Sequence, residues 1–477
     1  MNRSHEEIFG NKKINDVAII DSELNNITFS ELYNSCVNLA MNLEKRQCSK
    51  NVVLYTGNAI EFAIGLIALW MTDRTAVMVE AKSNQEDIGN ILEHFNSNTV
   101  IYSNLTQVEK VHAKNIILPI QLSEKQPHWE DKPFTNEIAI IFQTSGTTQY
   151  AKYVMLTHMG IIEECNEIIK SYGFGKGTRE LLVVPITSSF GTCGILLPNL
   201  CAGGSVSLYQ GEFNTAKLRR TIRDTKTTVI ACTSSILELL VRTDIKDKED
   251  FKSVEYIISA GEVSNIGIFD YAKKFLGAKN IVQAYGLTET SSQIAGSYLD
   301  FHVPYESVGK IMGNFTIRIK SGDEIKSVNE LGEIQVKGNS VTCGYYRDSE
   351  LNQQAFEEGW FKTGDIGYID EEGYLYIKGR IKNIIIVGGK NVYAEEVEEL
   401  LMKNRNIFSA HVYAEKSDVA GEKVIADIVF KDGFSMSQAE LLEYCRNKMK
   451  PYMIPKNFKI QKERKINTSG KASRTAN

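Results

Sequence analysis

The segment IAIIFQTSGTTQYAK, residues 138–152, joins an apolar run to a loop of small hydroxyl residues around one glycine. Such a loop, released from a strand end, offers backbone N–H groups and hydroxyls to phosphate oxygens, and its lysine adds a positive charge. It is not a Walker loop, because Tyr153 follows the lysine. A phosphate-binding loop and a polar hairpin turn are both open at this point. The candidate phosphate ligands are Thr144, Ser145, Gly146, Thr147, Thr148 and Lys152.

Strand-like and helix-like patterns alternate on both sides of this loop. Short β-rich runs occupy residues 138–142, 181–184, 206–209, 228–232 and 256–259, and helical patterns occupy residues 163–172 and 216–225. This alternation predicts parallel sheets covered by helices. Closely spaced strands at 315–320, 333–337 and 374–378 then predict an antiparallel or barrel-like β subdomain.

The last hundred residues predict a compact α+β unit. A strand at 383–387 precedes a Gly-Gly turn, a helix from residue 394, strands around 412 and 428, and a helix at 438–449. The predicted fold is therefore α/β. A large N-terminal domain of helix-covered sheets with the β subdomain spans residues 1–381, and a small α+β C-terminal domain spans residues 382–477.

Composition excludes several classes of protein. The chain has 477 residues, 43% of them hydrophobic, and a formal net charge of −5, which argues against a nucleic-acid-binding face and a polybasic membrane patch. The eight cysteines form no C-x-x-C pair, so we expect reduced thiols and a cytoplasmic protein without a zinc site. The longest apolar run, 62–71, is too short to span a membrane and predicts a buried helix.

Two further segments carry candidate nucleotide ligands, one after a predicted strand and one at a predicted tight turn. In QAYGLTET, residues 283–290, the ring of Tyr285 is suited to stack on a base and the carboxylate of Glu289 is suited to hold Mg²⁺. In WFKTGD, residues 360–365, Asp365 is suited to accept both hydroxyls of a ribose. Taken singly, Glu289 is as well explained as a helix cap and Asp365 as the residue that closes a turn.

Two more segments carry candidate basic residues. GRIKN, residues 379–383, places Arg380 at the predicted junction between the two domains, and NTSGKASR, residues 467–474, presents Lys471 on a loop with a glycine. Alone, Lys471 is equally one more solvated charge of a basic tail. It is the order of all five segments along one chain that favours a functional interpretation.

In this order the five segments resemble the adenylate-forming superfamily, which includes acyl-CoA synthetases, adenylation domains and beetle luciferases. The resemblance covers nearly the whole chain and is specific for the superfamily, but weak for the substrate. Further matching segments are SAGE at 259–262, ESVGK at 306–310, GEIQV at 332–336 and GYYR at 344–347.

The resemblance implies a role for each matching residue. The loop at 144–152 would hold the β- and γ-phosphates of ATP, and Glu289 would hold Mg²⁺. Gly261 and Glu262 would lie along the adenine, and Tyr285, which Gly286 follows, would stack on it. Thr288 would contact the α-phosphate. Asp365 would bind the ribose, with Arg380 beside it.

Two lysines would govern the catalytic cycle. Lys471 matches the lysine that bridges the acyl carboxylate and the phosphate during adenylation, and Lys382 matches the hinge about which the C-terminal domain, residues 382–477, rotates. The loop departs from the superfamily pattern at Gln149, Ala151 and Tyr153, where glycine, proline and glycine are usual. We expect a stiffer loop, with a cost in rate or ATP affinity.

Residues 184–191 resemble the start of the superfamily's substrate-pocket helix. No acidic residue occurs between residues 181 and 210, so a substrate with a free α-amino group would lack a counter-ion there. An acyl or aryl acid without that group is favoured. The candidate pocket residues are Ser188, Phe190, Gly191, Ala260 and Ser291.

The predicted function is therefore an AMP-forming, ATP- and Mg²⁺-dependent acid–thiol ligase that adenylates a carboxylic acid and transfers it to coenzyme A. One alternative is a stand-alone adenylation protein that loads the phosphopantetheine of a separate carrier protein, since no carrier domain follows Lys471. A second alternative is a nucleotide-binding module without catalysis, which the departures in the phosphate loop favour.

Overall fold

The computed structural model describes residues 4–10, 15–56, 58–80, 83–102, 113, 115–117, 129, 137–144, 151–209, 214–242, 248–261, 269, 272–274, 276, 278, 280–296, 303–304, 306–417, 421–431 and 433–461. The α-helices are α1 Ser4–Phe9, α2 Phe29–Lys45, α3 Ala59–Met71, α4 Gln85–His94, α5 His158–Tyr172, α6 Leu197–Ala202, α7 Thr215–Asp224, α8 Ser234–Arg242, α9 Ser349–Ala355, α10 Ala394–Met402 and α11 Gln438–Arg446. A π-helix spans Phe190–Leu196, and 3₁₀ turns span Lys248–Phe251, Thr288–Thr290 and Ile381–Asn383.

The strands of the first half are β1 Val17–Ile20, β2 Asn26–Thr28, β3 Asn51–Tyr55, β4 Thr75–Met78, β5 Thr99–Tyr102, β6 Asn115–Ile117, β7 Ile138–Thr144, β8 Lys152–Thr157, β9 Arg179–Leu182, β10 Ser205–Leu208, β11 Val229–Cys232, β12 Tyr256–Ala260, β13 Asn280–Tyr285, β14 Ala295–Gly296 and β15 Lys310–Ile311. Those of the second half are β16 Thr316–Ser321, β17 Glu324–Ile325, β18 Gly332–Lys337, β19 Gly344–Tyr345, β20 Phe356–Glu357, β21 Trp360–Ile369, β22 Leu375–Arg380, β23 Ile384–Val387, β24 Lys390–Tyr393, β25 Ile407–Ser417, β26 Gly421–Phe430 and β27 Asn457–Ile460.

Two mixed sheets form the bulk of the N-terminal domain. Among the described strands, one sheet runs β15-β14-β13-β12-β11-β9-β10-β1-β2 and the other β19-β8-β7-β4-β3-β5-β6. The central pairs of both are parallel, for example β11 with β12 and β3 with β4. Strands β4, β10 and β11 are buried along their whole length, as expected for strands covered on both faces. The predicted helix-covered parallel sheets are confirmed.

Helix α3 is the buried helix that the apolar run at 62–71 predicts. Twelve of its residues are buried. The indole N–H of Trp70 donates to the carbonyl of Ala139, 3.0 Å away, which ties the helix to β7. Within the described part of the chain, no helix combines the length and the apolar character needed to cross a bilayer.

The β subdomain is an antiparallel sheet ordered β17-β16-β18-β21-β20, with β22 paired to β21. Every pairing in it is antiparallel, as the close spacing of the strands predicts. Its last strand, β22, leads through the Ile381–Asn383 turn into β23.

The small C-terminal domain has its own sheet, ordered β24-β23-β26-β25 with β27 on β26, and its own core. That core contains Ile385, Val397 and Leu441, one each from β23, α10 and α11. A large N-terminal and a small C-terminal domain are therefore present. The exact boundary at residues 381 and 382 stays a prediction, which the separate cores support.

Candidate active site

Several predicted site residues follow the carboxyl ends of neighbouring strands in the nine-stranded sheet. Strands β12 and β13 are parallel, with Ala260 opposite Ala284, so Gly261 and Tyr285 lie at the same edge. The segment after β9 reaches this edge too, because the hydroxyl of Ser189 lies 3.2 Å from that of Thr288. Open α/β sheets bind ligands outside such strand ends.

The chain turns tightly after Tyr285, and Gly286 makes the turn possible. A Cβ at Gly286 would overlap the carbonyl oxygen of Ser292. The amide of Ile294 donates to the carbonyl of Tyr285 at 2.7 Å, which closes the turn. Residue 286 must therefore be glycine because of close backbone approach, which the resemblance alone does not explain.

Glu289 lies on the 3₁₀ turn Thr288–Thr290, and its side chain faces Tyr345. The cap of this turn comes from Thr290, whose hydroxyl accepts from the amide of Leu287 at 3.0 Å, so the cap is not supplied by Glu289. The Tyr345 hydroxyl donates to Glu289 Oε1 at 2.9 Å. A carboxylate with one oxygen fixed in this way fits the oxygen ligand that Mg²⁺ prefers.

Asp365 joins the β subdomain to the nine-stranded sheet. Its side chain is buried, at 2% exposure, and receives hydrogen bonds from the Tyr285 hydroxyl at 2.7 Å and from Arg380 Nε at 2.8 Å. Arg380 lies directly opposite it on β22. Asp365 therefore lies within β21 and not at a turn, and it fixes the Tyr285 hydroxyl and meets the charge of Arg380.

The pKa values in this cluster are shifted by burial. Burial raises the pKa of Asp365 above its ordinary value, and Arg380 and the Tyr285 hydroxyl oppose that shift. Burial, together with the Asp365 charge, raises the pKa of Tyr285 well above its usual range. Tyr285 therefore stays a hydrogen-bond donor, and its ring is held at the strand end as a stacking platform would need to be.

The predicted phosphate loop connects β7 to β8. Thr144 at the end of β7 pairs with Lys152 at the start of β8 in an antiparallel hairpin. The two strands on either side of the loop therefore pair with each other, and this pairing is compatible with both a phosphate-binding loop and a polar turn. Ser145, Gly146, Thr147 and Thr148 lie outside the described residues, and so do Glu262 and Lys471. Their predicted roles stay predictions.

The predicted pocket segment leads into a π-helix. The Ser188 hydroxyl donates to the Pro185 carbonyl at 2.7 Å and accepts from the Gly191 amide at 3.0 Å. A Cβ at Gly191 would overlap the Pro185 carbonyl oxygen, and one at Gly194 would overlap the Ser292 hydroxyl. Gly194 thus lets this helix approach the turn after Tyr285, and Gly191 lets it approach the segment that precedes it.

The other predicted pocket residues differ in how they face the site. Phe190 begins the π-helix and is partly exposed, and Ala260 ends β12 and is nearly buried. Ser291 is buried and its hydroxyl donates to the Ser340 carbonyl at 2.9 Å, so its side chain supports the turn. Their contribution to a substrate pocket stays a prediction.

Tyr345 is the site residue that sequence reasoning missed. The segment GYYR at 344–347 carried part of the resemblance, but no role was predicted for its tyrosines. The signal available in the sequence was a pair of adjacent tyrosines after a run of small residues, which does not reveal contact with Glu289, 56 positions earlier.

Comparison with known proteins identifies the family of the chain. The model of the AMP-binding enzyme family matches residues 7–346, and that of the AMP-binding enzyme C-terminal domain matches residues 396–471. The chain is 27% identical to a 2-succinylbenzoate–CoA ligase of Bacillus licheniformis over 96% of this chain and 95% of that protein. It is 30% identical to the same enzyme of Geobacillus sp. over 74% of this chain and 71% of that protein.

Solved structures show the same fold. The o-succinylbenzoate CoA synthetase of Bacillus subtilis with its acyl-adenylate intermediate superposes with a TM-score of 0.85 at 24% identity, covering 99% of this chain and 97% of that one. ATP-bound MatB of Rhodopseudomonas palustris superposes with a TM-score of 0.89 at 22% identity, covering 98% and 97%. The protein is therefore a member of the AMP-binding enzyme family within the adenylate-forming superfamily, as the order of its motifs predicts.

Proposed function

We propose that the protein is an AMP-forming acid–CoA ligase. In the first half-reaction the carboxylate of the acid attacks the α-phosphorus of ATP, giving an acyl adenylate and pyrophosphate. In the second, the thiol of coenzyme A attacks the acyl carbonyl, giving a thioester and AMP. The observation that carries the proposal is the Arg380–Asp365–Tyr285 chain of contacts, which joins two sheets at the edge where Glu289 lies.

Each candidate site residue would have one part in this reaction. Asp365 would accept the ribose hydroxyls and Tyr285 would present its ring to the adenine, while Thr288 would donate to the α-phosphate. Glu289 would hold Mg²⁺, which neutralises phosphate charge when bound. Lys152 would bind the terminal phosphates, and we propose that Lys471 meets the charge that builds at the α-phosphate.

The described pocket residues favour an acyl or aryl acid without a free α-amino group. Residues 184–194 carry no charged side chain, and their polar groups near Thr288 are hydroxyls. A substrate ammonium would find no counter-ion in this segment. Within this class an aromatic keto-dicarboxylate is the more specific candidate, because 2-succinylbenzoate–CoA ligases match over almost the full length of the chain.

Coenzyme A is the proposed acceptor, since the relatives that match most of this chain are named as CoA ligases. Loading of a carrier protein is the alternative. A cytoplasmic location is also part of the proposal, and the absence of a disulfide at any of the eight cysteines, all of them among the described residues, is consistent with a reducing compartment.

The test measures pyrophosphate release with ATP and Mg²⁺ against aliphatic, aromatic, keto-dicarboxylic and amino acids, with and without coenzyme A. We expect one acid class to support release, and coenzyme A to accelerate it. Glu289→Gln should lower release by about a hundredfold or more, as expected when a group that stabilises transition-state charge is removed. Pyrophosphate release that coenzyme A does not accelerate would favour a carrier protein as the acceptor. No pyrophosphate release with any acid would favour the non-catalytic nucleotide-binding module.

A further inference from the structure

Tyr345 lies between the two candidate ligands of the ATP phosphates and the metal ion. It is 5% exposed, and its hydroxyl donates to Glu289 Oε1 at 2.9 Å. On the same side, the ammonium of Lys152 lies over its ring, 5.7 Å from the centroid. One side chain thus touches both charged groups, which lie 137 positions apart in the sequence.

The backbone around Tyr345 is fixed on both sides. Its amide donates to Asn352 Oδ1 at 2.7 Å, and its carbonyl accepts from Asn352 Nδ2 at 3.0 Å. The amide of Thr342 donates to the Glu289 carbonyl at 2.6 Å, so this segment and the Glu289 turn are joined by backbone as well as side chain. The Tyr345 ring therefore has little freedom to turn away from Glu289.

The opposite face of the same strand pair is anchored by aromatic rings. Strands β8 and β19 pair antiparallel, with Tyr345 opposite Val154, so Tyr346 and Tyr153 point away from Lys152. Tyr346 packs on Phe95, with ring centroids 4.5 Å apart, and Tyr153 stacks on His94 at 4.9 Å. Tyr153, which departs from the glycine usual in the superfamily, thereby fastens the start of β8 to α4.

We propose that Tyr345 is a positioning residue of the adenylation site: its hydroxyl holds the Glu289 carboxylate in place for the metal ion, and its ring supports the Lys152 ammonium. The inference rests on the proposed function. A hydrogen bond to a carboxylate fixes the direction of the second oxygen, which orients a metal ligand. The face of a phenol ring attracts an ammonium and leaves its N–H groups for phosphate oxygens.

The test separates the two contacts by substitution. Tyr345→Phe removes the hydroxyl and keeps the ring, whereas Tyr345→Leu removes both. Tyr346→Phe is the matched control, because it removes the neighbouring hydroxyl on the opposite face of the strand. Binding of α,β-methylene-ATP, which the enzyme cannot cleave, is measured by calorimetry without Mg²⁺ and over a series of Mg²⁺ concentrations, and thermal midpoints are recorded for all variants.

We expect Tyr345→Phe to weaken the Mg²⁺-dependent part of binding by about tenfold, the effect of losing one hydrogen bond to a charged group. Its binding without Mg²⁺ should match the wild type. Tyr345→Leu should in addition weaken Mg²⁺-free binding by about threefold, because Lys152 loses the ring. A merely structural role would lower the thermal midpoint and weaken both kinds of binding together, without this separation.

The inference is overturned if the Mg²⁺ titration of Tyr345→Phe coincides with that of the wild type, or if Tyr346→Phe shifts it equally. If the wild type binds the analogue and Tyr345→Phe binds it with the same affinity at every Mg²⁺ concentration, the role of Tyr345 is contradicted while the proposed function is not. Wild-type protein that binds no analogue would overturn the proposed function, and the inference with it.

Discussion

At the scale of single residues, Asp365 determines how the nucleoside would be recognised. Its two carboxylate oxygens accept from Tyr285 and Arg380, and each oxygen keeps a further lone pair. Those lone pairs are suited to the 2′- and 3′-hydroxyls of a ribose. An asparagine has one acceptor oxygen, which can satisfy Tyr285 or Arg380 but not both.

We therefore predict that wild-type protein prefers ATP to 2′-deoxy-ATP and that Asp365→Asn removes most of the preference. The expected loss in ATP affinity is about tenfold, because a hydrogen bond to a charged group is removed. The preference is measured as the ratio of the KM for 2′-deoxy-ATP to the KM for ATP, and the loss in affinity as the change in the KM for ATP. Asp370→Asn is the matched control, since Asp370 also accepts from a tyrosine hydroxyl, that of Tyr376 at 3.0 Å, and lies away from the site in the turn that joins β21 to β22. A preference that survives in Asp365→Asn contradicts the ribose role.

The sequence predicts single residues better than it predicts their partners. Glu289 is a candidate because its carboxylate follows a strand in a recognisable segment, and Asp365 because its segment predicts a carboxylate at a tight turn, although it lies within β21. The bond between Tyr285 and Asp365 was not predictable, because 80 positions separate them and the contact depends on how the β subdomain packs against the nine-stranded sheet. The role of Tyr345 was missed for the same reason.

At the scale of elements, most strands and helices fall where the pattern predicts them. The strand predicted at 256–259 is β12, Tyr256–Ala260, and the helix predicted at 163–172 is the second part of α5, His158–Tyr172. Helix α5 begins earlier because Thr157 accepts from the amide of Gly160 and caps it. The π-helix was not predictable, because it depends on the close approach of Gly191 and Gly194 to residues before and after it along the chain.

Helix α5 also carries a buried acid that ties three elements together. Glu164 is fully buried and accepts from the amide of Gln293 at 2.6 Å and from Asn314 Nδ2 at 3.0 Å. Asn314 donates in turn to the Ser340 hydroxyl at 2.7 Å. Burial raises the pKa of Glu164 from 4.5 to about 8, although both hydrogen bonds oppose the shift.

This shift makes stability depend on pH. Between pH 4.5 and about 8 the folded protein holds a proton on Glu164 that the unfolded chain has lost. The stabilisation is complete below pH 4.5 and is lost as the pH rises through about 8, with a slope of at most about 1.4 kcal/mol per pH unit. We predict that the thermal midpoint of the wild type falls relative to that of Glu164→Gln between pH 5 and pH 8.

The control for this prediction is Glu163→Gln on the same helix. Glu163 is partly exposed and accepts from Asn339 Nδ2 at 2.8 Å, so its variant should follow the pH dependence of the wild type. Parallel curves for the wild type and Glu164→Gln would show that Glu164 does not hold a proton in the folded protein at neutral pH.

At the scale of the whole molecule, the site lies where the small domain joins the large one. Arg380 is the last residue of β22, and the 3₁₀ turn Ile381–Asn383 leads directly into the C-terminal sheet. The side chain of Asn383, the last residue of this turn, donates to Glu395 on α10 at 2.5 Å, so the end of the turn is held to the small domain. Rotation about Lys382 would therefore move the small domain relative to Asp365 without disturbing either core.

The hinge proposal makes a prediction about turnover. A proline at residue 382 fixes φ there and disfavours the helical conformation of Ile381 in the 3₁₀ turn, so it should restrict the orientations open to the small domain. We assume that adenylation and thioester formation need different orientations of the small domain. Lys382→Pro should then lower the rate of acyl-CoA formation at least about tenfold. One of the two half-reactions, measured alone, should stay within about twofold of the wild type. Lys382→Ala, which keeps the backbone free, should lose much less. If Lys382→Pro forms acyl-CoA as fast as the wild type, rotation at this residue is contradicted. If both half-reactions slow equally, the substitution has instead damaged the neighbouring Arg380–Asp365 pair.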